Sequence, residues 1–445
     1  MALRFLLLPL GDGRMGLSIL VRTIPSLSPL EHLSLNPFSS IFPTNPEILT
    51  RFGVFQEYYL TTPPFDQASE STINSIGTIA IAIQFFITPF CITLASRYPH
   101  WIPFTSWGSL ILYVLSVVAA SFAQTVNQLL IFQGVMVGLC GGLIYAPVFV
   151  WLSEWFLEKR ALSAAIIFCG SGIGGIIFPL VINSLLRATG GHQWTLRILA
   201  LFIGVCSAVS LLGVKPRVPV ARTRHGVARA LPRADWGFLM SPEFLAMSTT
   251  IMTQALAYYP VSLYIPAFAT AIGLSTINGT VALAIFNLSG VLGQILFGHA
   301  CDKIDYAYII IFSAIGSALS AFLMWGFAKT LEMTFAFVVV FGAVSSGFSS
   351  TAPAASKDIA GTDSQSGIVF GCFEMFKGVA VVVGPIISAH LHQRDSGATS
   401  VYGGYGFTQI EVFVGSMMAL TAVGGVVTKN LRKTFPRSGG GQVVT

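Results

Sequence analysis

The sequence predicts an all-α, polytopic membrane protein built as two pseudo-symmetric halves, nominally of six helices each. Three observations carry that expectation: composition, a series of long apolar stretches, and an internal repeat. Of 445 residues, 54% are hydrophobic and 9% charged, where a soluble domain carries about 25% charged residues. So few charges cannot solvate the surface of a globule, so lipid is the solvent for much of this chain.

A hydrocarbon core about 30 Å thick takes about 20 apolar residues of helix to cross. Eleven stretches qualify: 74–95, 102–123, 128–151, 162–186, 194–214, 242–268, 276–300, 306–327, 332–355, 367–390 and 408–428. Most connections are short, which makes successive helices antiparallel neighbours. The exception is 215–241, with Lys215, Arg217, Arg222, Arg224, Arg229 and Arg233 against the single acid Asp235. The bias of basic residues toward cytoplasmic loops puts this connection inside. Alternating outward, Arg97, Lys159, Arg160, Lys303, Lys357, Lys429, Arg432, Lys433 and Arg437 fall on the same side, and Arg187, Lys329 and Arg394 on the other. The C-terminus is therefore expected to be cytoplasmic. The formal charge of +6 suits an anionic leaflet, and no nucleic-acid partner is expected. Cys91, Cys140, Cys169, Cys206 and Cys372 lie inside apolar runs and Cys301 ends one. Without CxxC or metal-ligand spacing, they read as small buried hydrophobes.

The repeat follows from one shift. The 206 positions between Ala146-Pro147 and Ala352-Pro353 also separate Pro179 from Pro385 and Arg97 from Lys303. The chain accordingly divides into an irregular segment 1–46, a transmembrane half 47–214, the basic loop 215–241, a second transmembrane half 242–428 and a tail 429–445. The shift also requires a partner for 242–268 at about 36–62. There the chain has Pro37, Pro43, Pro46, Glu47 and Arg51, and only Phe52 to Tyr59 reads as a helix end. The first helix is expected to be incomplete, with no span in residues 1–46. Leu6 to Leu10 is too short for a signal-peptide core.

Particular residues carry a resemblance. Phe52-Gly53-Val54-Phe55-Gln56-Glu57-Tyr58-Tyr59 resembles the close of the first helix in the monocarboxylate-porter family of the major facilitator superfamily, particularly its fungal members. Trp155-Phe156-Leu157-Glu158-Lys159-Arg160-Ala161-Leu162-Ser163, followed by Gly170 to Gly175, is similar to that family's signature from a cytoplasmic loop into the fifth helix. Phe370-Gly371 and Gly384-Pro385 resemble its eleventh helix, so the likeness covers residues 52–428. It implies a major facilitator fold and a secondary carrier of small organic solutes, monocarboxylate-like or secondary metabolites. Substrate would bind near the bilayer midplane between the halves and be exposed alternately to each side. Animal members pair an acid with an arginine on the eighth helix for proton coupling; here those positions hold Gly290 and Gln294. The family's opening signature on the first helix is also absent. The expected partners are the lipid bilayer, a small-molecule substrate and, if flux is coupled, protons. The expected location is the plasma membrane.

The candidate site residues each have a plain alternative. Glu374 and Lys377, three apart on one helical face near the middle of 367–390, are charges at a depth that costs at least about 3 kcal/mol on insertion scales. They read as a cavity-lining pair, the lysine drawing an anion and the glutamate taking a proton, or as a self-neutralised structural pair. Gln254 with Tyr258, and Asn287 with Gln294, supply polar groups for a substrate, or ordinary interhelical hydrogen bonds. Gly170-x-Gly172-x-x-Gly175, with Gly174, matches a dinucleotide fingerprint in form but lies inside an apolar span, which favours close helix packing. Asp302-Lys303 after Gly298 resembles the superfamily's conformational loop motif, and Lys159-Arg160 is grouped with it. Arg197, near the outer end of its span, reads as a snorkelling anchor.

No cofactor, metal cluster or catalytic motif is present in the sequence, so the chain does not read as an enzyme or an ATP-driven pump. The alternatives to a carrier are a membrane sensor that binds without transporting, and an inactive carrier without a whole first helix.

Overall fold

A computed structural model of the chain describes residues 53–155, 159–213, 236–393 and 402–434, and the regular elements among them are helical. In chain order, α1 is Gly53–Thr61, α2 Glu70–Arg97 and α3 Ile102–Ala120. The short helix Val126–Leu129 passes through a π-helical stretch, Leu130–Met136, into α4, Val137–Trp155. Next come α5 Arg160–Thr189 and α6 His192–Gly213. The second half has α7 Pro242–Ala271, α8 Thr276–Cys301, α9 Tyr306–Leu319, α10 Leu331–Gly347, α11 Asp363–Leu391 and α12 Thr408–Thr434. Helix α9 runs on through π-helical Ser320–Trp325, and α10 through Phe348–Ser350 into Thr351–Ala360.

These helices start and stop where the side chains dictate. Ser69, Thr125, Ser241, Ser275, Asp305 and Thr330 each accept an N–H from the first turn that follows them. Gly190, with φ of 69°, ends α5 in the left-handed conformation that closes a helix cheaply only at glycine. Among the described residues, ten helical stretches are long and apolar enough to cross a membrane. Helix α7 matches them in length at 30 residues. Its serines, threonines, Gln254, three tyrosines and internal Pro260 and Pro266 dilute its apolar character, because much of its surface faces protein. Each expected span has its helix, with edges moved by a few residues. The incomplete first helix meets the structure only at α1; residues 1–46 lie outside the described residues.

The two halves repeat in their packing. In the first, α2 packs on α4 and α3 on α6; in the second, α8 packs on α10 and α9 on α12. The halves join along two seams, α2 on α11 and α5 on α8, which the repeat makes equivalents. The residues agree. A Cβ on Gly298 would stand 2.6 Å from Ala165 Cβ, and one on Gly371 would stand 3.0 Å from Ile92 Cδ1. These contacts exchange under the 206-residue shift. So do Gly172 against Val291 and Gly378 against Phe85. Arg160 and Ser366, 206 apart, touch each other, with Arg160 Nη2 donating to Ser366 Oγ at 2.5 Å. Residues related by the shift meet only on the axis that relates the halves, so the pseudo-twofold passes between the starts of α5 and α11.

The apolar cores are placed unevenly. One buried cluster crosses both halves, taking in Phe149, Phe168, Phe244, Ile310, Phe370 and Phe373. It lies toward the end of the bundle that carries Arg97, Lys159 and Lys303. At the other end each half has its own core, around Tyr59, Tyr113 and Phe178 in the first and around Phe268, Phe286 and Trp325 in the second. The bundle is thus sealed at its basic end.

Candidate functional site

Lys377 is the midpoint of the 29-residue α11. Its ammonium donates to Glu374 Oε2 at 3.4 Å, one turn back on the same face. Glu374 is 3% exposed, and the lysine side chain keeps 17%. Two rings approach from the other half of the molecule: the ammonium lies 4.8 Å from the centre of the Phe85 ring on α2 and 5.7 Å from that of Phe168 on α5. Gly378 makes this possible, since a Cβ there would come within 2.7 Å of Phe85 Cβ. Below the pair, toward the basic end, Phe149 on α4 stacks on Phe370 on α11 with ring centres 4.4 Å apart and planes at 23°.

The other polar candidates gather on α7, α8 and α10. Gln254 Nε2 donates to the Ser345 carbonyl at 3.1 Å, and Ser346 Oγ donates to Tyr258 Oη at 3.1 Å. Gly290 gives Ser346 its room, as a Cβ there would stand 2.7 Å from Ser346 Oγ. Asn287 turns back on its own helix, donating to the Leu283 carbonyl at 3.0 Å. The Gln294 carbonyl accepts from Ser350 Oγ at 3.1 Å, and its side-chain Oε1 is buried without a hydrogen-bond partner among the described residues. Glu374 and Lys377 thus pair on the α2–α11 seam, while hydrogen bonds at Gln254, Tyr258 and Gln294 tie α7 and α8 to α10.

The conformational motif forms a direct contact between halves. Asp302 Oδ1 and Oδ2 accept the backbone N–H groups of Ala161 and Leu162 at 3.0 and 3.1 Å. These are unsatisfied donors of the first turn of α5, and the helix dipole favours an anion there. Burial pushes the Asp302 carboxyl above its ordinary value, against the two amides, His299 and Lys159, which pull it down. Arg160 sits on the pseudo-twofold with Ser366. Lys159 precedes α5 as its N-cap residue, and Lys303 is exposed beside Asp302. Gly170, Gly174 and Gly175 are buried in one unbroken helix. Gly172 packs against Val291 on the α5–α8 seam, and the dinucleotide form has no strand before it among the described residues. Arg197 is an anchor: Nε donates to Ser121 Oγ at 3.1 Å, and the guanidinium lies over the Phe122 and Trp194 rings at 4.4 and 4.9 Å.

Sequence reasoning did not find Phe85, Phe168, Phe149 or Ser366. One signal was available for the last, since the 206-residue shift lays Arg160 on Ser366. The phenylalanines carry none, being apolar residues in apolar spans. No group of three or more metal-ligating side chains occurs among the described residues.

Two helical halves are thus related by a pseudo-twofold, with a charged pair on one seam at mid-helix depth. The pattern described as Major Facilitator Superfamily matches residues 32–305 and 279–433, and the chain belongs to that family of membrane transporters, which are not enzymes. It is similar to the Aspyridones efflux protein apdF of Emericella nidulans, 27% identical over 372 residues, covering 84% of this chain and 72% of that one. It is 28% identical over 397 residues to the Fujikurins efflux protein of Gibberella fujikuroi, covering 88% and 82% of the two chains. An MFS-type transporter of Gibberella moniliformis is 27% identical over 377 residues, with 83% and 85% covered.

Proposed function

We propose that this transporter is a secondary carrier of small organic solutes that works by alternating access, with substrate meeting Lys377 and Glu374 between the halves. The observation that supports it most is the position of that pair: charged, nearly buried, at the middle of a membrane helix, and touching rings of the opposite half. Charges at this depth are retained where a bundle interior uses them. Gln254, Tyr258, Asn287 and Gln294 contribute to the wall on the α7–α8 side, and Asp302 with Arg160 latches the closed end. The bias of basic residues toward cytoplasmic loops supports a cytoplasmic basic end, loop 215–241 and C-terminus. The efflux names of two relatives favour export of a secondary metabolite over uptake, with the plasma membrane as the site of action. Proton coupling through Glu374 belongs to the same reading, as does kinship to monocarboxylate porters.

The test is flux. Cells lacking the gene and cells expressing it are compared for retained and secreted organic compounds. Any compound that differs is then followed in proteoliposomes with and without a pH gradient. Carrier-dependent movement of that compound, lost in Lys377→Gln, is the expected result. Binding without movement would identify a sensor, and neither binding nor movement an inactive chain.

A further inference from the structure

The Lys377 ammonium has an unusual set of neighbours. Glu374 holds it from its own helix at 3.4 Å, while ring faces of Phe85 and Phe168 hold it from α2 and α5. Both rings are buried. Phe168 continues into Phe149, ring centres 5.8 Å apart, and Phe149 into Phe370. The lysine thus stands against a wall of aromatic faces that belongs mainly to the other half. A ring face attracts a cation through its quadrupole, and the same face accepts a second flat π-system in offset stacking. A short aliphatic acid could take the ammonium but would leave the ring faces with nothing of matching shape. A ligand whose acceptor oxygen is conjugated to a flat ring system can take both at once.

Resting on the carrier reading of this site, we propose that it selects flat, conjugated organic molecules bearing one anionic or strongly hydrogen-bond-accepting oxygen, and that Phe85 and Phe168 are the residues that select them. Lys377 lies on one half and its rings on the other. A ligand that draws the ammonium off the rings therefore replaces a direct contact across the seam with one made through itself. Occupancy and loosening of the closed end become one event.

The test uses the full-length purified chain in nanodiscs and two probes of like charge, 1-naphthoate and decanoate, with binding read by calorimetry. The wild type is expected to bind naphthoate about tenfold more tightly, equivalent to about 1.4 kcal/mol. Phe85→Leu and Phe168→Leu keep an apolar side chain but remove the flat face. Each is expected to cut the preference about fivefold while leaving decanoate within about twofold, the range one aromatic contact covers. Phe85→Met and Phe168→Met serve if a leucine variant does not fold. Equal affinity of the wild type for the two probes, binding of neither, or equal loss of both in the leucine variants would overturn the substrate class. Lys377→Gln combined with Glu374→Gln, which leaves no stranded carboxylate, tests the underlying site separately: it is expected to weaken both probes, and if both bind as before, the site itself is misplaced.

Discussion

Lys377 and Glu374 illustrate what a buried charge pair demands of its surroundings. Removing one member of such a pair costs about 3 kcal/mol or more, because the other is left in a medium that solvates it poorly. Lys377→Gln is therefore expected to reduce the amount of folded protein, and Glu374→Gln in the same chain to restore most of it. Flux should not return with abundance, since a site that needs a cation cannot work without one. Recovery of transport in the double variant, measured beside surface abundance, would reduce the pair to scaffolding. Asp302 makes a second residue-scale prediction. Burial raises its carboxyl pKa in the latched state above the value it has when released to water. The latched state then binds a proton more readily, so this group favours latching at low pH. That contribution is lost as pH rises through the raised pKa. The closed fraction should grow on acidification into the carboxylate range, and Asp302→Asn should flatten the dependence. A closed fraction that falls on acidification would contradict this.

Glycines set the distances between elements. Gly298 on the α5–α8 seam and Gly371 on the α2–α11 seam occupy exchanged places in the repeat, Gly298 against Ala165 and the α5 backbone and Gly371 against Ile92 and the Pro89 backbone. A valine at either position would force the helices apart, at about 1–3 kcal/mol. Gly298→Val and Gly371→Val should both shift the carrier toward its opened basic end, with effects of the same sign and similar size. A cross-linking assay across each seam checks this, and opposite signs would argue against equivalence of the seams. Elements were the most legible part of the chain. Length and apolarity placed the spans, and the Pro179–Pro385 and Arg97–Lys303 offsets exposed the repeat, because both signals are written along the sequence. The seams were only partly legible: the glycines of α5 announced close packing but not the partner. The Phe85 and Phe168 faces on Lys377 were not legible at all, since apolar residues in apolar spans leave no periodic mark. Gln254 and Tyr258 were legible as a pair, yet their hydrogen bonds run to α10, which spacing along α7 cannot reveal.

At the scale of the molecule, one core is shared by the halves at the basic end and each half has its own at the other; on the proposed carrier mechanism this arrangement is one of two states. Alternating access requires a second state, in which the α5–α8 and α2–α11 seams part at the basic end and the halves close at the opposite one. Pairs of exposed residues report on each end. Arg97 and Lys303 lie at the basic end, and Arg187 and Lys329 at the other. Each pair can be replaced by spin-labelled cysteines in the reconstituted full-length protein. The most direct measurement is the distance distribution of both pairs, with Asp302 intact and with Asp302→Ala, which removes the α5 cap at a cost of about 1 kcal/mol. Two distances are expected for each pair, with the substitution moving the basic-end pair toward the longer and the opposite-end pair toward the shorter. A single unchanging distance at both ends, or two ends that open together, would contradict it.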